Sequence, residues 1–146
     1  MSKQEDANLI LRLYEIRREE VMRKARAWFA AEFNPGSLQD IIDAVMGEHS
    51  AYYRMVTSYW EMAASLVNNG AIDEQMFNDA NGEQVVVFAK IEPFLKEARE
   101  KFNSPQSMQH LEKLVMSMPD AKERLAVVRE RVKMITAARA EAATKG

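Results

Sequence analysis

Chemistry in this chain would have to come from two histidines and from a glutamate set beside a tryptophan, because cysteine is absent. A carboxylate di-metal centre in a helical protein needs Glu-x-x-His pairs on facing helices. Position 46 is Met46 and position 107 is Ser107, so neither His49 nor His110 has that glutamate. Two isolated histidines also leave zinc short of ligands. We expect both histidines at helix surfaces or ends, with no metal and no cofactor. Without cysteine there is no disulfide framework, thiolate site or cysteine nucleophile. No Gly-x-Ser-x-Gly elbow supports a serine nucleophile. The five glycines are too scattered for a phosphate loop or a Gly-x-Gly-x-x-Gly turn.

Glu61 stands in the stretch TSYWEMAASLVNNGAID, residues 57–73. On a helix it lies about 100° around the axis from Trp60. Its neighbours at spacings of three and four are Thr57, Ser58, Ala64 and Ser65, a small and polar face. A buried carboxylate must be paired or hydrogen-bonded. Two readings follow. Glu61 is a boundary residue tied to a neighbouring helix by an arginine, a lysine or a tyrosine hydroxyl, or it lines a ligand pocket with Tyr59 and Trp60. We expect the first.

Several helices must position these residues. Strand signals are nearly absent; Val85-Val86-Val87 is isolated in a helical background. The chain reads as all-α, an irregular helical bundle of about six to seven helices with long first and last helices. The first is expected from about Glu5 to Phe33 and stops before Asn34-Pro35-Gly36. Ser37 opens a second that ends near Met46-Gly47. A third runs from about Glu48 to Asn69, with Gly70 as its left-handed stop. Asp73 caps a short turn through Phe77. The next runs from Glu83 to about Phe102, and Pro93 predicts a kink or break near Lys90 to Glu92. Ser104-Pro105 is expected to start another. The last follows Pro119-Asp120 to about Ala143, with a fraying tail. Its Leu125, Val128, Val132 and Ile135 are spaced like a short coiled-coil seam.

The 146 residues fit one domain over positions 1–146, with 47% apolar and 29% charged residues. Twenty basic and 22 acidic residues give a net charge of −2, which is no electrostatic footprint for nucleic acid. Arg17, Arg18, Arg23, Lys24 and Arg26 are interleaved with Glu15, Glu19 and Glu20, the pattern of a solvated helix face. Glu19–Arg23 and Glu20–Lys24 have favourable four-residue spacing. No stretch approaches the ~20 apolar residues that span a bilayer, and no signal peptide is visible. The chain is therefore expected to be soluble and cytoplasmic.

The stretch from Ser58 to Phe77, SYWEMAASLVNNGAIDEQMF, resembles the core of a bacterial family of helical domains of unknown function. The likeness is carried by Trp60, Glu61, Ala63, Leu66, Val67, Gly70, Ile72, Asp73 and Phe77. It implies a small helical domain of bacterial origin. Some relatives look membrane-anchored through an N-terminal span that this chain lacks. The resemblance transfers no activity. The functional expectation is a non-enzymatic helical interaction module that engages a protein partner or itself, as a homodimer. The alternative is a small-molecule-binding domain with a pocket at Tyr59, Trp60 and Glu61. A cavity beside Trp60 would favour a ligand, and an exposed apolar patch would favour a partner.

Overall fold

The computed structural model describes residues 2–145, and among these all regular structure is helical. Eight helices occur: α1 Lys3–Arg17, α2 Glu20–Ala31, α3 Leu38–Met46, α4 Ser50–Asn68, α5 Glu74–Ala80, α6 Glu83–Lys101, α7 Gln109–Met116 and α8 Ala121–Lys145. The number exceeds the six to seven expected because the long first helix is two. Glu19 leaves the helical region at ψ 145°, and its carboxylate accepts from the Val21 and Met22 N–H groups at 3.1 and 2.9 Å. It is therefore an N-cap rather than a partner for Arg23. These hydrogen bonds hold its carboxyl below the ordinary value. Glu20 keeps its pair with Lys24 at 3.4 Å.

The other ends follow local chemistry. The Ser37 and Asp73 side chains accept from the backbone three residues on, as N-caps do. Gly70 has φ +84°; its N–H bonds the Val67 carbonyl, and the Ala71 N–H bonds that of Leu66. That pattern is the Schellman stop of α4. Two elements run longer than expected. α5 continues to Ala80, and α8 stays helical through Lys145, so only Gly146 of the tail lies outside the described residues.

Pro93 neither breaks nor ends α6. A proline inside a helix leaves the carbonyl four residues earlier without its donor. Here that carbonyl belongs to Ala89, and it accepts from Arg129 Nε of α8 at 3.0 Å. A neighbouring helix thus supplies the lost hydrogen bond. Ser104-Pro105 does not start α7; residues 105–108 form a turn, and the helix begins at Gln109 after Met108 at φ 61°.

α4 lies at the centre, packed on α2, α3, α5 and α7, while α6 joins α3, α7 and α8. Trp60, Phe77, Phe88, Ile91, Leu111 and Leu125 are among the fully buried side chains of one continuous apolar cluster. The first three members of the α8 seam are taken up differently from the fourth: Leu125 and Val128 are buried and Val132 packs against the core, but Ile135 is 44% exposed.

Candidate functional site

Glu61 is part of the join between α4 and α7. The first N–H groups of a helix have no partner inside it. Met108 stands at the N-cap of α7 and offers no side-chain acceptor. Glu61 supplies the acceptors from another helix: His110 N–H donates to Oε2 at 3.0 Å and Leu111 N–H to Oε1 at 2.9 Å. A carboxylate there also faces the positive end of the helix dipole. Seven residues on, Asn68 donates through Nδ2 to the His110 carbonyl at 3.0 Å. The expected partner, an arginine, lysine or tyrosine hydroxyl, is replaced by backbone, because α7 lacks a cap of its own. Glu61 also borders an open hollow of about 530 Å³ with Arg54, Ser58, Gln106 and Met108.

Tyr59 and Trp60 point elsewhere. Their rings meet edge to face at 4.8 Å. The Tyr59 hydroxyl donates to the Leu13 carbonyl of α1 at 2.6 Å, and burial raises its pKa against the pull of Arg17. Trp60 is 1% exposed and donates through Nε1 to Glu83 of α6 at 3.0 Å. The same carboxylate takes Arg26 Nε at 2.9 Å. Arg17 lies 5.5 Å over the Trp60 ring and donates to Asn81 Oδ1 at 2.7 Å. Two of the arginines that read as a solvated face are thus tied into joints between helices. The structure brings Tyr59 and Trp60 together and directs Glu61 to a different neighbour. His49 sits at the N-cap of α4, stacked on Trp28 at 5.0 Å, and His110 is the second residue of α7. Among the described residues no three of His, Asp or Glu gather so as to hold a metal ion.

Two cationic residues escaped the sequence reading. Lys90 is only 7% exposed, and its ammonium donates to the carbonyls of Phe29, Ala30 and Phe33 at 2.7, 3.2 and 2.8 Å. The first two lie in the last turn of α2 and the third just beyond it, where a cation suits the dipole. Burial, with Arg139 nearby, pushes the Lys90 pKa down to about 8. Arg129 satisfies Ala89 and pairs with Glu92 at 2.7 Å. Neither role had a local signal beyond a lysine on an apolar stretch and a proline inside a helix. Both residues line a groove of about 440 Å³ between α6, α8 and the loop at Asn34-Pro35.

The polar side chains with distant partners described above are therefore engaged at helix ends and helix joints of an all-helical domain. A family model described as "Domain of unknown function (DUF4760)" matches residues 3–118, and the chain belongs to that family. No curated protein and no solved structure matches the chain. α8, from Ala121 to Lys145, lies beyond the matched span. No helix among the described residues is long and apolar enough to cross a membrane.

Proposed function

We propose that this protein is a non-enzymatic helical interaction module that pairs with a second copy of itself through α8. One observation carries the reading: beyond Val132 α8 adds no side chain to the apolar core, and apart from half-buried Thr136 residues 133–145 are exposed. Val127 and Met134 on its outer side are 64% and 71% exposed, and Ile135, the last residue of the seam, is 44% exposed. Charge supports the choice of partner. Residues 121–145 hold seven Lys or Arg against three Asp or Glu, a net +4 that leaves −6 on the remainder, and the projecting residues 133–145 hold three against one, a net +2. A basic projecting helix on an acidic body complements a second copy arranged about a two-fold axis, the commonest symmetry of soluble oligomers. Trp60 is sealed in the core, which turns the criterion set by the sequence toward a partner.

The test is sedimentation velocity of the wild type and of a Met134→Glu/Ile135→Glu variant. The wild type is expected to sediment above the 16.7 kDa chain mass at low ionic strength and to dissociate as salt screens the charges. The variant changes exposed positions only and is expected to stay folded and monomeric. A wild type that remains at 16.7 kDa at every concentration and salt would reject the reading.

A further inference from the structure

We propose that the groove between α6 and α8 binds a long-chain amphiphile with an anionic head, of the fatty-carboxylate class. Its volume of about 440 Å³ falls within the range of small-molecule sites, and sites of this kind form between helices of helical proteins. Its walls are Pro35 of the loop, Pro93 and Phe94 of α6, and Val132, Ala137 and Ala140 of α8. None of these side chains offers a hydrogen bond, so the part of the ligand they cover is apolar. Asn34 and Thr136 add neutral polar groups, and the charge is of one sign: Lys90, Arg129 and Lys133 line the groove, and no Asp or Glu does.

The three cations have different capacities for a ligand. The Lys90 ammonium has three donors, and three carbonyls use them, so it contributes field rather than contact. Arg129 commits Nε to Ala89 and Nη2 to Glu92, and Nη1 makes no hydrogen bond to the described residues. Among the described residues Lys133 is held only by Glu130, at 3.4 Å, in a pair that is about three-quarters exposed on the lysine side. Such pairs are weak and readily exchanged. Arg129 and Lys133 are four residues apart and share a face of α8 with Val132 and Thr136. A carboxylate at that face meets two cations while its chain lies on the apolar wall. The site uses Arg129, Val132, Lys133, Ala137 and Ala140 of α8, whereas the pairing proposed above uses Val127, Met134 and Ile135, so different substitutions test the two.

The experiment uses the full chain with methyl-labelled Val and Ala, titrated with hexadecanoate, hexadecanol and hexadecyltrimethylammonium below their micellar concentrations. Hexadecanoate is expected to shift the Val132, Ala137 and Ala140 methyls and to bind more tightly than the neutral and cationic probes. Lys133→Glu, a change in an exposed pair, is expected to weaken hexadecanoate about fivefold, the size of one surface charge contact. Ala137→Trp, which fills the groove from an exposed position, is expected to abolish the shifts. Equal binding of all three heads, shifts located away from the groove, or undiminished binding to Ala137→Trp would each overturn the proposal. So would displacement of hexadecanoate by nothing but an acidic amphipathic peptide that shifts the same methyls more tightly. Sedimentation of the same samples reports self-association independently.

Discussion

Arg129→Ala offers a test of how α6 tolerates its proline. In the wild type the Ala89 carbonyl, deprived of its intrahelical donor by Pro93, accepts from Arg129 Nε at 3.0 Å. A hydrogen bond to a charged group contributes about 1.5–3 kcal/mol. The Arg129–Glu92 pair, with side chains 31% and 38% exposed, adds only about 0–1 kcal/mol. Truncation of Arg129 is therefore expected to cost about 2–3 kcal/mol. A second background separates the hydrogen bond from the ion pair. Pro93→Ala restores an N–H at position 93 that can reach Ala89 within the helix. Arg129→Ala should then lose little beyond the ion pair, about 0–1 kcal/mol. The coupling between the two changes is expected at about 1–3 kcal/mol, within the range seen for residues sharing a partner. Urea denaturation of the four proteins of the cycle measures it, provided the slopes stay equal. If Arg129→Ala costs the same in both backgrounds to within about 0.3–0.5 kcal/mol, the two residues are independent and the account of Pro93 is wrong.

Glu61→Gln keeps one acceptor for the first turn of α7 and should cost less than Glu61→Ala, which strands two N–H groups at about 1–3 kcal/mol; equal midpoints for both variants and wild type would remove the cap. Trp60→Ala is expected to destabilise by about 3–5 kcal/mol, as for a large core aromatic, and a denaturation midpoint within error of wild type would contradict its core placement. Lys90 makes a pH prediction. Its folded pKa of about 8 lies below the ordinary 10.5, so between these values the unfolded chain binds more protons and stability rises with pH. Below about pH 8 both states are protonated and the penalty is constant. The difference in stability between wild type and Lys90→Met should therefore move in favour of wild type from pH 8 to 9.5, below the range where Tyr53, pushed up to about 12, acts in the opposite direction. A pH-independent difference would show that burial does not perturb the lysine.

What the sequence disclosed and what it hid follow from the reach of each interaction. Ser37, Gly70 and Asp73 act within three to five residues of chain, so their roles at helix ends could be read from residue type alone. Glu19 acts just as locally, but its spacing to Arg23 competed with the cap, and nothing in residue type said which would win. The unbroken course of α6 through Pro93 and the late start of α7 have a different cause. In both, a backbone group left open by the local sequence is satisfied by a side chain far along the chain, Arg129 at a separation of 40 residues and Glu61 at about 50. No local rule contains that partner. The identity of Glu61 as a boundary residue could be argued from its small polar face, but its acceptors' use by His110 and Leu111 could not. The groove was invisible for the same reason, since its walls come from three separate segments.

The central claim, that α8 meets the body of a second copy, can be read most directly by site-specific crosslinking. The chain has no cysteine, so Ala138→Cys gives a single attachment point on the projecting part of α8. That protein, carrying a photoactivated crosslinker at position 138, is mixed with isotope-labelled wild type, and the joined peptides are identified by mass. The account predicts crosslinks from position 138 to labelled peptides within residues 3–118 at low ionic strength, lost when salt is raised. Crosslinks confined to the same unlabelled chain, or joining α8 only to α8, would contradict it.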